Sequence, residues 1–172
     1  MYILVLWVRN RALNEKNEFF RTSLTLKNMF HYNLFDTPKI LTKKYIESVW
    51  NALWEVTKIE QRGFINIIIV SPAEIATLNE TYRGKEGPTD ILTFPYRDSV
   101  DKTTDIAGEI YLCLEKIQYY AEERWTSYEE QLRYIIVHGL VHMMGYDHET
   151  ERESKEMEKI EKKIIALLKA EK

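Results

Sequence analysis

His138-Gly139-Leu140-Val141-His142-Met143-Met144-Gly145-Tyr146-Asp147-His148 holds three of the four histidines in a chain of 172 residues. How this stretch folds decides how the rest must be arranged. His138 and His142 stand at i and i+4, so on a helix they share one face, about 5–6 Å apart at Cβ. Gly145 suits the left-handed conformation that ends a helix, and a sharp turn there returns His148 towards the first two. Three imidazoles can then grip one cation and leave a position open. That describes a catalytic zinc site better than a structural one, which closes with four protein ligands and prefers Cys. Cys113 is the sole cysteine and lies far off in sequence. The plainer alternative, three histidines clustered by chance on a helix, does not account for the turn glycine between them.

The spacing H-x3-H-x2-G-x2-H is similar to the metzincin zinc-peptidase pattern H-E-x-x-H-x-x-G-x-x-H, with one difference. Gly139 stands where those enzymes carry the glutamate that serves as general base.

Working outward, Ser127 and Glu130 form a capping box that starts the histidine helix, and Leu132, Ile135 and Ile136 carry it into the core. Thr150 with Glu153 starts another helix, from about Glu151 to Ala170. Its apolar stripe is Met157, Ile160, Ile164 and Leu168, and its charged residues read as a solvated face. A third box, Ser71-Pro72-Ala73-Glu74, opens a helix ahead of Leu78. From Thr37-Pro38 to about Ile59 one apolar face recurs at helical spacing (Ile40, Leu41, Tyr45, Val49, Trp50, Leu53, Val56), and Gly63 is expected to end it.

The strands are shorter. Phe64-Ile65-Asn66-Ile67-Ile68-Ile69-Val70 is apolar enough for a central strand. A Gly- and Pro-rich turn through Gly84, Gly87 and Pro88 leads into a short strand ending at Phe94-Pro95, and Gly108 to Leu114 reads as another. Nearer the start, Phe20–Leu26 and Phe30, Tyr32 and Leu34 alternate like half-buried strands, one of them at a sheet edge. His31 sits there alone and reads as a packing or surface residue.

Composition bounds the function. At 45% hydrophobic and 30% charged the chain is globular, and its length suits one domain, 1-172, with a core of ordinary size. One cysteine fits a reducing, cytoplasmic setting. Met1–Val8 is apolar, but too short to span a bilayer and without a basic residue before it or a small-residue cleavage site, so it reads as a strand or a non-native extension and not as a signal peptide. A net charge of −3 argues against coating nucleic acid through bulk electrostatics. It leaves room for a local basic cleft around Arg83, Lys85, Arg97 and Lys102. Arg83, on a loop feeding a sheet, either salt-bridges a neighbour such as Asp90 or offers a planar fork to a phosphate. Asp147 either orients an imidazole or caps the turn.

Taken together, Leu78-Asn79 with Tyr82-Arg83, Pro88-Thr89-Asp90-Ile91-Leu92-Thr93-Phe94-Pro95, Gly108-Glu109-Ile110, and His138-Gly139 through Gly145-Tyr146-Asp147-His148 resemble the YbeY family of bacterial metal-dependent endoribonucleases. The likeness spans roughly residues 40 to 168; residues 1–28 have no counterpart and read as an extension. Two positions depart from the family pattern: Glu109 replaces the usual Asp, and Thr93 the usual Ser. The resemblance implies an α+β fold, a small mixed four-stranded sheet packed with about five to six helices, zincin-like. It implies one Zn2+ held by His138, His142 and His148, and it tips Arg83 towards phosphate contact in RNA cleavage. The substrate it implies is single-stranded ribosomal RNA, with the ribosomal subunit or its proteins as partners and no small-molecule cofactor. A metallopeptidase-like hydrolase and a ribosome-assembly factor with a structural metal are the competing readings.

Overall fold

The computed structural model describes residues 30–35, 41–59, 63–96 and 106–170. The expectations for Met1–Val8, Phe20–Leu26, the 1–28 extension, Ile40, Arg97 and Lys102 lie outside the described residues.

The elements run β1 (Phe30–Phe35), α1 (Lys43–Thr57), β2 (Gly63–Ile69), α2 (Pro72–Arg83), β3 (Ile91–Pro95), β4 (Ile106–Leu112), α3 (Leu114–Glu123), α4 (Tyr128–Met143) and α5 (Glu151–Ala170). This is an α+β arrangement around a mixed sheet of order β1-β2-β4-β3. β1 and β2 run parallel, as do β2 and β4, while β3 pairs antiparallel with β4. The apolar β2 is interior, and β1 and β3 are the edges.

Helix starts follow the local chemistry. Ser71 accepts from the backbone N–H of Glu74 while the Glu74 carboxylate accepts from the Ser71 N–H, and Ser127 with Glu130 repeats the exchange. At Thr150 the Glu153 carboxylate accepts from the backbone N–H at 2.9 Å, and Thr150 Oγ1 accepts from Glu153 N–H at 3.3 Å. The end of the first helix falls close to the expected Ile59, while its start, the role of Gly63 and the start of a helix at Leu114 differ from expectation. α1 is capped by Thr42 and ends at Lys58, which takes the left-handed conformation (φ 55°), so Gly63 opens β2 instead of closing the helix. Leu114 begins α3, a helix that the strand reading of Gly108 to Leu114 concealed, because Tyr111-Leu112-Cys113-Leu114 is apolar without a break.

Each face of the sheet has its own core. Ile65, Ile67, Ile91, Ile110 and Leu112 meet Ile46, Val49 and Leu53 of α1, Ile136 and Leu140 of α4, and Met157 and Ile164 of α5. On the other face Leu92, Tyr111 and Cys113 meet Ile75 and Leu78 of α2. Each fully buried Ile or Leu contributes about 1.5–3 kcal/mol relative to leaving it in water. The strand alternation thereby sends Ile91 and Thr93 of β3 towards α4, and Leu92 and Phe94 towards α2. That places the histidine helix directly beneath an edge strand.

Candidate metal centre

His138 and His142 project from the last turn and a half of α4. Gly145, at φ 91°, then reverses the chain, with its N–H donating to the His142 carbonyl at 2.8 Å. A side chain at that φ is strained, so glycine is what allows the tight return. The return brings His148 back. Its ring centroid lies 5.0 Å from that of His142 and 5.6 Å from that of His138, and one nitrogen from each of the three imidazoles lies within 4.8 Å of the others.

The outer nitrogens decide the protonation pattern. His142 Nδ1 is 2.8 Å from the Tyr146 carbonyl oxygen. A carbonyl only accepts, so that nitrogen carries the proton and Nε2 is left with a lone pair. His138 Nδ1 lies 2.7 Å from Glu161 Oε1 and is held the same way. The two Nε2 atoms then face each other at 3.2 Å. Two lone pairs at that distance repel, so either a proton or a metal cation lies between them, and tetrahedral zinc with N ligands at ~2.0–2.1 Å places its nitrogens roughly 3.3 Å apart. The donor set fits a zinc ion. Burial, and then the neighbouring His138, hold the His142 imidazole below its usual pKa, which favours the neutral ligand form. Tyr134, one turn before His138, stacks along its ring at 6.0 Å between centroids and limits its rotation.

Glu161 was missed. The charged residues of α5 were expected to face solvent, but Glu161 is 5% exposed. It occupies i+4 from Met157 and i−3 from Ile164, on the buried face. A carboxylate within an apolar stripe was the signal, since such a group is buried only where a partner waits for it.

Asp147 Oδ1 accepts from the His148 backbone N–H at 2.8 Å, capping the turn, and stands 3.8 Å from His142 Nδ1, farther than the Tyr146 carbonyl. Asp90 Oδ1 accepts from Ile91 N–H at 3.0 Å and from Thr89 Oγ1 at 3.1 Å, closing its own turn. Among the described residues no ion pair involves Arg83.

Gly139 sits under β3. A Cβ added there would lie 2.6 Å from Ile91 Cδ1 and 3.4 Å from Thr93 Oγ1. The position that bears glutamate in the peptidase pattern is therefore turned into the sheet, with no space for a side chain. Glu109, the other departure, is buried on β4. Its carboxylate accepts from Tyr96 OH and Tyr111 OH at 2.8 Å each and from Asn66 Nδ2 at 3.3 Å, away from the histidines.

The triad opens on a cleft of about 490 Å³. β3 forms one wall, and the turn from Gly145 to Glu149 another. Tyr82 and Arg83, at the end of α2, line it as well. The structure thus brings Arg83 and all three histidines to one cavity, while Asp90 stays outside its lining. No described helix is long and apolar enough to cross a membrane.

The family model for endoribonuclease YbeY matches residues 31–169. A protein of that name from Thermotoga sp. (strain RQ2) is 40% identical over 124 residues, 71% of this chain and 79% of its own length. One from Malacoplasma penetrans is 36% identical over 132 residues, 75% of this chain and 88% of its own. The solution structure of a Thermotoga maritima protein superposes with a TM-score of 0.54 at 29% identity, covering 83% of this chain and 93% of that one.

Proposed function

The chain belongs to the endoribonuclease YbeY family, and from that premise we propose that it is a zinc-dependent endoribonuclease cutting single-stranded segments of ribosomal RNA, in rRNA maturation and ribosome quality control. The observation that carries the reading is the pair of facing Nε2 atoms of His138 and His142, with His148 beside them, at the floor of an open cleft.

His138, His142 and His148 would hold one zinc ion in a zincin-like arrangement. When bound, zinc lowers the pKa of a coordinated water towards neutrality and polarises a substrate oxygen. The remaining roles fall to the chain. Glu161 and the Tyr146 carbonyl fix the outer nitrogens of two ligands, so the inner nitrogens point at one spot. Arg83, exposed and engaged in no ion pair among the described residues, offers its planar fork to a phosphate in the same cleft and steadies charge that develops there. Asp147 keeps the turn that presents His148 closed. Phosphodiester cleavage depends chiefly on holding charge in place, so it tolerates glycine at position 139. Peptide hydrolysis needs a base there, and the packing against Ile91 leaves no room for one.

We take residues 1-172 as one metal-dependent hydrolase domain with 1–28 as an extension. The ribosomal subunit or its proteins are the partners, and the buried, unpaired Cys113 supports a cytoplasmic setting. Metal analysis of wild type and His142→Ala, beside cleavage of single-stranded and structured RNA, tests the reading. Loss of both metal and cutting in a folded variant supports it. Metal-loaded protein that cuts casein and no RNA would make it a peptidase. If it cuts nothing and His138→Ala melts the domain, the metal is structural and the protein an assembly factor.

A further inference from the structure

Among the described residues β3 is an edge of the sheet, and all five of its residues line the cleft. The ladder to β4 is fixed at both ends. Cys113 N–H donates to the Asp90 carbonyl, and Tyr96 N–H donates to the Ala107 carbonyl, each at 2.9 Å. In an antiparallel pair the hydrogen-bonded positions alternate, so residues 90, 92, 94 and 96 turn their backbone groups to β4, and 91, 93 and 95 turn theirs to the open side. On that side the Ile91 N–H is already taken by Asp90 Oδ1 at 3.0 Å. Pro95 has no N–H. Among the described residues what remains on that side is one donor, the Thr93 N–H, beside the carbonyl of the same residue.

That inventory selects the occupant. A peptide adding as a strand needs donors and acceptors in alternation over several residues, and here the run breaks on both sides of Thr93. One unpaired nucleobase needs a single donor–acceptor pair, and the Watson–Crick edge of each of the four bases has an adjacent donor and acceptor. Tyr82, Phe94 and Tyr146 line the same cleft, and aromatic rings are surfaces on which bases stack. We propose that the open backbone edge of Thr93 takes up the Watson–Crick edge of an RNA base beside the metal centre. The single-strand preference then has a physical origin, because a base in a duplex has that edge occupied. The inference rests on the endoribonuclease reading and names the base-binding subsite of the same cleft.

The test measures binding of zinc-loaded, full-length protein to fluorescent single-stranded RNAs by anisotropy, together with their cleavage. One set carries 1-methyladenosine or 3-methyluridine at each position near the cut, which blocks the Watson–Crick edge. A control set carries 5-methyluridine, which leaves it free. One position is expected at which edge methylation weakens binding about tenfold, as two lost hydrogen bonds require, while 5-methylation changes little. Thr93→Pro removes the outward N–H and leaves the ladder bonds, whereas Thr93→Val keeps the N–H. The proline variant is expected to lose the methylation effect with unchanged zinc affinity, and the valine variant to keep it. If edge-methylated and unmodified RNAs bind and are cut alike, the base subsite is wrong and the endoribonuclease reading stands. If wild type neither binds nor cuts RNA, both fall. If an extended peptide displaces RNA from wild type and not from Thr93→Pro, the edge is a peptide site and the proposal is overturned. The methylated RNAs report on wild type, so a misfolded proline variant leaves the outcome readable.

Discussion

Replacing Glu161 by Gln probes the least visible part of the site. The carboxylate is 5% exposed, lies 2.7 Å from His138 Nδ1, and has no Lys or Arg ion-pair partner among the described residues. Gln keeps the shape and an accepting oxygen but not the charge. A charge-assisted hydrogen bond contributes about 1.5–3 kcal/mol against about 0.5–1.5 for a neutral one. The loss is therefore about 1–2 kcal/mol in the alignment and basicity of His138. Replacing partners of this kind typically weakens metal binding about 10–100-fold. Competition with a chromogenic zinc chelator should show that decrease. Thermal melts give a second readout. Metal at about 100 times its Kd stabilises a folded protein by about 2.7 kcal/mol, and in a chain of this length each kcal/mol moves Tm by about 2–4 °C. Zinc should then raise the Tm of wild type by about 5–10 °C, and at the same zinc concentration raise that of Glu161→Gln by about half as much or less. The metal-free melts should be close. If Glu161→Gln binds zinc within threefold of wild type while its circular dichroism is unchanged, Glu161 is only a packing residue and the account of the ligand geometry is wrong.

Gly139→Glu should not create a peptidase. The side chain would be driven against Ile91 and Ile110, so a destabilisation of about 2–4 kcal/mol is expected, seen as a lower urea midpoint with no gain in casein cleavage. Arg83→Lys keeps the charge and loses the fork, and RNA cleavage should fall about 10-fold, with Arg83→Ala nearer 100-fold. Zinc affinity should be untouched in both, and full activity in Arg83→Ala would exclude a phosphate role. His148 is exposed, so His148→Ala should leave the metal-free Tm within about 2 °C, as surface substitutions do, while zinc binding drops sharply in the chelator assay. Chelation of wild type should abolish RNA cleavage, and added zinc should restore it. Persistence of cutting in metal-free protein would remove the metal from the reaction.

Much of this was legible beforehand because local rules and global packing agree. Capping boxes depend on residues three apart, so Ser71, Ser127 and Thr150 announced their helices and the coordinates place them there. The i, i+4 histidines and the turn glycine are equally local, which is why the triad could be assembled on paper. α3 was hidden because its start, at Cys113, has no side-chain cap hydrogen bond. Lys58 ends α1 in a left-handed conformation that an ordinary residue rarely signals.

The chain alone determined the helix and strand types over most of its described length, the ligand trio and the bend between its members, since each rests on residues within a few positions of one another. Only the tertiary structure decided that Glu161 reaches His138 across 23 residues, that Gly139 is pressed beneath Ile91, and that Arg83 and the β3 edge border the same cleft. These are meetings of separate elements. They are set by which faces of α4, α5 and the sheet pack together, and periodicity reports that a face is apolar without saying what lies against it.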